Sequence, residues 1–560
     1  MKTRTYLIAT AAAALLSAAP AIAQQGPTAA KSKTVTTEKI ATTVKAKATV
    51  FPVSTTSLGS VVTASDTTIK TDTTVETKTT VFSLTAATPD TIPAPTDTTV
   101  KTETTVFDLS TATPDSSAVA NDITTLGTTD AAEPKTKPTV ASRAEKTLPA
   151  IVIQHIRPID QRGINVFEAP KTDAVAYEGF KLTWGVAFTQ QFQGLDHRNT
   201  ALPKPTTPVG GTTYDANQLI QIGHGFNNAN ANLYLNAQLA KGIRVSLTSY
   251  LSARHHNETW VKDGYILIDD SPIAWEPLEN LMQFVTVRVG HFEINYGDSH
   301  FRRTDNGNAM YNPFVGNLIM DAFTTEVGGE VYVRLGALMA MGGVTGGESR
   351  GMIAQPQKRS PSFIGKLGFD RQVMSDLRLR LTGSMYTTKH SVSNTLYSGD
   401  RAGSRYYDVL ENVNSTEAAN AWSGAIQPGM KDNITATVLN PFVKFHGLEY
   451  FGTIEKATGK ALTETANRTW NQLSNELVYR FLPAEQVWVG ARYNTASGKL
   501  AVTDPKETVK RTQLSAGWFI TPGLMGKIEY VNQKYDGFVP ADIRNGGQFK
   551  GFLVEGTVAF

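Results

Sequence analysis

Apolar side chains occupy every second position in many short segments from about residue 179 onward. In segment 181–192 the apolar positions are Leu182, Trp184, Val186 and Phe188, and the residues between them are small or polar. A period of two is that of a β-strand with one apolar face. The segment therefore predicts a strand with one face turned away from water or toward a core.

The same alternation predicts sixteen strands. After the first strand, two more meet at a tight turn formed by Lys241 and Gly242. The others lie near 259–268, 281–292, 324–335, 337–345, 362–370, 377–388, 435–445, 448–456, 469–481, 486–496, 509–520, 524–535 and 549–560.

The connections between these strands alternate in length. Long segments follow the odd-numbered strands and tight turns follow most of the even-numbered strands, with 269–280 the longest of the nominally short connections. A soluble sandwich also alternates apolar and polar residues, but it has no reason to place all its long loops at one end. Short turns at one end, long loops at the other and an even strand number are typical of a transmembrane β-barrel. We therefore expect an all-β fold, a transmembrane antiparallel β-barrel of about 16 strands over residues 176–560, with 14 or 18 strands as alternatives.

The last strand carries a specific signal. Phe552, Val554, Val558 and the terminal Phe560 share one face of segment 549–560. This arrangement resembles the C-terminal recognition strand of outer-membrane proteins, which the barrel-assembly machinery reads. The resemblance implies that the machinery and outer-membrane lipid are partners of this chain.

The first residues predict export. Lys2 and Arg4 precede an apolar run from Leu7 to about Leu16, and small residues follow at 21–23. These are the three regions of a signal peptide, so we expect residues 1–23 to be removed before Gln24. The chain contains no cysteine, which excludes a disulfide framework, a thiolate metal site and lipid attachment through cysteine.

Residues 24–150 have the composition of a disordered tail. Segment 31–150 contains 35 threonines, and such a polar mixture buries too little apolar area to offset chain entropy. The segment 71–90 recurs at 96–115. We interpret 24–150 as a low-complexity periplasmic tail with internal repeats, with its Asp-Thr-Thr sites as candidates for glycosylation, and 151–175 as a linker to the barrel.

The charges that share the inward parity are mostly basic. Lys181, Arg244, Lys366 and Arg480 belong to this set, which outnumbers the inward acids. A low-dielectric wall focuses such an excess into a potential that concentrates anions. The net charge of +3 is far below that of a typical nucleic-acid-binding protein, so no nucleic-acid partner is expected.

The third long connection, near 293–323, is rich in glycine, asparagine, aromatic residues and charge. This region resembles the phosphate-selective porin O and P family, in which a strand ending like Arg288-Val289-Gly290-His291-Phe292 precedes a loop with a step like Phe301-Arg302. The resemblance implies a bacterial outer-membrane porin in which this loop folds into the lumen. The residues that we expect at the constriction, where they set selectivity, are His300, Arg302, Arg303, Arg288, Arg378 and Arg380.

The function predicted from the sequence is passive diffusion of small hydrophilic solutes across the outer membrane, with a weak preference for anions, phosphate being one candidate. A homotrimer is the assembly to consider. A structural or adhesive barrel is the main alternative. An enzyme is less favoured, because Gly297-Asp298-Ser299-His300 lacks the following helix of a serine-hydrolase site. The pair His255-His256 lacks further metal ligands, so neither a cofactor nor a metal is expected.

Overall fold

The structure, a computed structural model, describes residues 151–171, 176–227, 229–252, 259–348, 359–398, 406–420 and 423–560. The predicted signal peptide and the threonine-rich tail lie outside the described residues, as do His255 and His256. In the described ranges, no helix has both the length and the apolar character to cross a membrane.

Sixteen long antiparallel strands within the described ranges form one closed sheet. In chain order they are β1 Lys181–Arg198, β2 Asn230–Ala240, β3 Ile243–Ser252, β4 Thr259–Ile268, β5 Val285–Glu293, β6 Thr325–Leu335, β7 Leu338–Thr345, β8 Ser362–Met374, β9 Leu377–Thr388, β10 Asp432–Phe445, β11 Leu448–Lys460, β12 Arg468–Phe481, β13 Val487–Gly498, β14 Glu507–Thr521, β15 Leu524–Asp536 and β16 Gln548–Ala559. The predicted barrel and its strand number are confirmed.

The sheet closes between its first and last strands. β1 pairs with β16 from Ala187 opposite Ala559 to Arg198 opposite Gln548, and its other edge pairs with β2. Each remaining strand pairs with its neighbours in sequence. Closure is required in a bilayer, because an open strand edge would leave backbone N–H and C=O groups without partners in hydrocarbon.

Few other elements accompany the barrel. Helix α1, Glu276–Met282, lies in the connection between β4 and β5 and accounts for the extra length of that connection. Helix α2, Glu417–Asn420, lies in the long connection after β9. Short strands lie at Pro205–Thr206, Tyr214–Asp215 and Gly225–Phe226, the last of them beside β1.

The outer wall of the barrel is apolar. Trp184, Leu367 and Phe552 lie on it with more than half of their surface exposed, and the strand positions beside them are buried or half-buried. This distribution is the inverse of that in a soluble protein, and an apolar outer band of this extent requires a hydrocarbon surrounding. The chain is therefore a membrane-spanning barrel.

The largest cluster of buried apolar residues lies within the barrel. Ile294, Ile319 and Met320 in the third long loop are buried, as are Tyr397 and Val409 in the connection after β9. They pack against inward-facing wall residues such as Trp470 and Tyr386. The lumen is therefore largely filled by infolded connections.

Phe560 extends the closure of the sheet by one residue. Its N–H donates to the carbonyl of Val186 and its own carbonyl accepts from the N–H of Val186, at 3.0 and 2.9 Å. Its ring lies on the outer surface, with its centroid 6.3 Å from that of Trp184.

We predict that Phe560→Asn lowers the fraction of barrel assembled in cells, measured by heat-modifiable migration in gels, and that Phe560→Tyr does not. Equal assembly of the two variants would contradict the recognition-strand prediction.

The threonine-rich tail is predicted to be unnecessary for barrel assembly. A variant in which residue 23 is joined directly to residue 151 retains every strand and every described contact. We expect this variant to reach the membrane and to show the same heat-modifiable migration as the full chain. Failure of the variant to assemble, with the full chain assembling normally, would show that the tail has a role in folding.

Candidate functional site: the filled lumen

The third long loop, residues 294–324, crosses the lumen. Its backbone N–H groups donate to polar side chains of the opposite wall, for example Asp298 to Asn440 at 2.9 Å and Ile319 to Asn494 at 2.7 Å. The N–H of Val315 donates to a carboxylate oxygen of Glu529 at 2.7 Å. Buried backbone donors need partners of this kind, so the polar inner wall makes the infolding of this loop possible.

Gly307 brings the loop close to the wall formed by β1 and β2. A Cβ atom at this position would lie 2.4 Å from the Cα of Ala231 and 2.6 Å from the carbonyl oxygen of Ala187. Thr189 donates its hydroxyl to the carbonyl of Gly307 at 2.6 Å. Only glycine permits this approach, which fixes one side of the loop against the barrel.

Two of the predicted constriction residues are buried in ion pairs. Arg302 lies 3.5 Å from Glu449 of β11 and also donates to the side chain of Asn165. Arg303 forms a two-point pair with Asp321 of the same loop, with its shorter N–O distance 2.6 Å. Both side chains are almost fully buried, so each faces a carboxylate within the lumen filling.

His300 is also enclosed. Its Nδ1 lies 3.5 Å from Glu293, and its Nε2 lies 3.0 Å from the amide oxygen of Asn295. Burial lowers the pKa of His300, and the partly opposing attraction of Glu293 does not reverse this shift. The imidazole therefore contributes little positive charge near neutral pH.

The three predicted wall arginines have carboxylate partners as well. Arg288 pairs with Glu330 of the neighbouring strand. Arg378 pairs with Asp370 at 2.7 Å, and Arg380 holds both oxygens of Asp298 at 2.8 Å. All six predicted residues thus lie inside the barrel. Glu330 and Asp370 are acids of the wall, whereas Asp298 belongs to the third loop and is a partner that the sequence reasoning did not anticipate.

Other inward charges were missing from the prediction although their parity was readable. Arg511, Lys527 and Glu449 are buried on the inner wall. Arg511 alternates with the outward-facing Leu514 in the same strand. The dyad pattern could therefore have identified Arg511, but not its contacts, which include the carbonyls of Asn317 and Gly424 in two different loops.

Much of residues 151–171, part of the segment 151–175 that the sequence suggested as a linker, lies inside the lumen, while Ile151, Val152 and Arg162 are exposed. We call residues 151–171 the lumenal segment. Gln161 binds the end of the barrel that carries the short turns, where its N–H donates to Pro522 at 2.9 Å and its side chain donates to Ala484 at 2.7 Å. Phe167 packs deeper, between Phe442 and Phe301, with ring centroids 5.4 and 5.6 Å away.

Polar side chains hold the lumenal segment to the inner surface. Asn165 donates to Glu449 at 2.6 Å, and its carbonyl accepts from Arg378 at 2.9 Å. The Glu168 carboxylate lies 2.8 Å from Lys366 and 2.8 Å from Arg380. Burial alone would raise the pKa of Glu168, but these two cations outweigh burial and hold that pKa well below its usual range. Three of the six predicted constriction residues, Arg302, Arg378 and Arg380, therefore contact this segment.

A cavity of about 230 Å³ lies between the lumenal segment and the wall. Two cations at its edge, Arg157 and Arg334, form no ion pair with a carboxylate among the described residues. Arg157 instead donates to the carbonyls of Gly163 and Phe301, and burial lowers its pKa. The remaining lining includes His155, Phe167, Glu168, Asp263, Tyr265, Arg288, Glu293, Asn295, His300 and Tyr332.

Comparisons with known proteins bear on the architecture only. No protein-family model and no curated protein matches the chain. Solved structures with a similar arrangement include the anion-selective porin from Comamonas acidovorans (11% identity, 68% of this chain and 100% of that chain, TM-score 0.40). The outer-membrane channel DcaP of Acinetobacter baumannii is similar at 9% identity, covering 69% of this chain and 99% of that chain, with a TM-score of 0.40.

A third similar structure is OmpT, an outer membrane protein of Vibrio cholerae, in its trimer form. The identity is 10%, the alignment covers 68% of this chain and 100% of that chain, and the TM-score is 0.40. Similarity at this level transfers no activity, substrate or assembly. The closed sixteen-strand barrel rests on the strand pairing within this chain.

The buried pair between Arg302 and Glu449 gives a prediction for stability. Arg302→Glu would place a second carboxylate beside Glu449 and Glu476 in a buried region. Loss of one partner from a buried pair costs about 3–5 kcal/mol, so we expect a clearly lower midpoint of unfolding in urea, followed by tryptophan fluorescence. The exposed Arg371 supplies the control, and Arg371→Glu should leave the midpoint nearly unchanged. Equal midpoints for the two variants would show that the Arg302 pair does not stabilise the lumen.

Proposed function

We propose that this protein is a porin-like channel of the outer membrane whose lumen is closed, in the conformation described, by the third loop and the lumenal segment. The observation that carries this proposal is the contrast between a barrel of sixteen strands and a filling made of separate segments of the chain. A barrel of about eight strands is filled by its own side chains, whereas barrels of 16–18 strands leave an aqueous passage. Here separate segments of the chain occupy that passage.

The nature of the filling supports a channel that opens. The contacts of the lumenal segment include hydrogen bonds and ion pairs made by Gln161, Asn165 and Glu168. Water and small ions can replace such contacts when a passage forms. The segment contributes no strand to the barrel, so its movement would leave the sheet pairing intact.

A weak preference for anions is the finer part of the proposal. Arg334, on β6, borders the cavity without an ion pair to a carboxylate among the described residues, and a desolvated charge in a narrow passage acts more strongly than one on an open surface. The six residues predicted at the constriction affect anion preference indirectly in this proposal, because each lies beside a carboxylate that offsets its charge. They are His300, Arg302, Arg303, Arg288, Arg378 and Arg380. Phosphate remains one candidate among small anions.

The short turns indicate the orientation. In outer-membrane barrels these turns face the periplasm. The lumenal segment enters at the end of the barrel with the short turns, so we place the threonine-rich tail in the periplasm. Assembly by the barrel-assembly machinery and a homotrimeric state are further parts of the proposal, and cross-linking in native membranes would test the latter.

A structural barrel is the second candidate. The burial of the inward charges, for example Arg244, Lys366 and Glu529 at no more than 2% exposure, favours a barrel that stays filled. This candidate predicts an intact protein that conducts no ions in any form.

Conductance in planar bilayers distinguishes the two candidates. We expect the purified full chain to show infrequent discrete openings, and a variant lacking residues 24–171 to conduct more often, because it lacks the lumenal segment. The variant lacking only residues 24–150 is the matched control and should behave like the full chain. Reversal potentials in a KCl gradient should indicate a weak anion preference that declines at high salt, where the Debye length is about 3 Å at 1 M.

Two outcomes would contradict the proposal. Silence of the full chain and of the 24–171 deletion, with both showing heat-modifiable migration, would favour the structural barrel. Conductance with a clear cation preference would remove the anion part and leave the channel.

A further inference from the structure

Three hydrogen-bond donors converge on the Glu168 carboxylate. One oxygen lies 2.8 Å from the Lys366 ammonium and accepts from the Asn295 amide at 3.1 Å. The other oxygen accepts from Arg380 at 2.8 Å. Two cations and an amide around one carboxylate are the donor set of an anion-binding site.

The donors belong to the barrel and to the third loop, whereas the carboxylate belongs to the lumenal segment. Lys366 lies on β8, Arg380 lies on β9 and Asn295 begins the third loop. All three side chains are buried. The site is therefore built by the channel itself, and Glu168 is an occupant supplied from a different part of the chain.

The charge that remains without Glu168 is positive. Lys366 and Arg380 share Asp298, and Arg378 shares Asp370 with Arg380. These three cations face only two carboxylates once Glu168 is removed. A buried excess of one positive charge is costly unless an anion compensates it.

The cavity lies next to this site. Glu168, Asn295 and Arg334 all line its 230 Å³, which is several times the volume of a water molecule at about 30 Å³. Of the three donors, Asn295 lines the cavity, and Lys366 and Arg380 contact the Glu168 carboxylate that lines it. A carboxylate or phosphate group in the cavity therefore reaches these two cations when it displaces Glu168.

The lumenal segment fits its place closely. A Cβ atom on Gly163 would lie 2.0 Å from the carbonyl oxygen of Pro158 and 2.7 Å from the Tyr311 ring. Tyr311 in turn donates to that carbonyl at 2.6 Å. The lumenal segment is therefore closely packed in the lumen, where it blocks the passage.

We propose that Lys366, Arg380 and Asn295 form a binding site for the carboxylate or phosphate group of a solute, and that Glu168 occupies this site in the closed channel. Solute anion and Glu168 compete for the same donors, so binding of the anion releases the lumenal segment. This inference rests on the proposed channel function and adds the site that controls its opening.

The first experiment removes the charge of the occupant. Glu168→Gln keeps the shape of the side chain but weakens its contacts, since hydrogen bonds between charged groups are roughly twice as strong as neutral ones. We expect the open probability in planar bilayers to rise about tenfold. Glu178→Gln, at a glutamate of the same connection whose side chain is 66% exposed, is the matched control and should leave the open probability unchanged.

A disulfide lock tests whether the segment must move. The chain has no cysteine, and the backbones of Gln161 and Pro522 are joined by a 2.9 Å hydrogen bond. In a variant carrying both Gln161→Cys and Pro522→Cys, oxidation should abolish openings and dithiothreitol should restore them. Each single-cysteine variant is a control that should not respond to either treatment.

Anion competition identifies the ligand chemistry. Sodium acetate and sodium phosphate, each added at constant ionic strength to the full chain, should raise the open probability in a saturable manner, and the more effective of the two identifies the preferred group. In Glu168→Gln, in which the lumenal segment is already bound more weakly, the rise in open probability caused by either salt should be several-fold smaller. A response that rises linearly with both salts and does not saturate would show no specific binding and would overturn the site.

The outcomes separate this inference from the proposed function. Suppose that the full chain conducts, that Glu168→Gln behaves like Glu178→Gln, and that the oxidised double-cysteine variant still opens. The proposed anion site and the blocking role of the lumenal segment would then be wrong, whereas the proposed channel function would be retained. If no variant conducts, including the deletion of residues 24–171, the channel itself is wrong. Heat-modifiable migration of every variant excludes misfolding as the cause of either result.

Discussion

The rest of the structure depends on the closure of the sheet between β1 and β16. In hydrocarbon an unpaired strand edge has no solvent to satisfy it, so the first and last strands must meet. Closure fixes an inside and an outside, and every second side chain is assigned to one of them. The apolar side chains, such as that of Trp184, face outward to the lipid, and the polar side chains face the lumen.

The confinement explains the chemistry of the lumen. Inward charges that would be solvated in an open passage are here covered by the third loop and the lumenal segment, so each needs a partner. The carboxylates of Asp298 and Glu168 supply such partners to Lys366 and Arg380 from outside the wall. The electrostatics of this barrel therefore belongs to the wall and its filling together, and the charge of the wall alone overstates the positive potential.

The fold was largely predictable because its signals are local. Lipid imposes a period of two on each strand, and the position of Arg380 on the inner face followed from that parity. The partners of Arg380 did not, since Glu168 lies 212 residues away in the chain and in a segment whose composition suggests a linker. A pairing of this separation is set by the three-dimensional path of the chain, and no spacing rule in a single sequence records it. The inward position of the third loop was expected from the resemblance to porins, whereas the buried ion pairs of Arg302 and Arg303 were visible only with the loop in place.

The lumenal segment directly precedes the strand that completes the barrel. Much of residues 151–171 lies within the enclosed space, and β1, which begins at Lys181, forms the seam with β16. During synthesis the segment is made before any strand, yet its binding partners on β8, β9 and β11 come much later. Its docking therefore has to await those strands, and it must either be enclosed as the seam forms or enter afterwards through the end with the short turns. The order of assembly thus links the last step of folding to the position of the lumenal segment, and a newly closed barrel whose segment has docked has its lumen already filled.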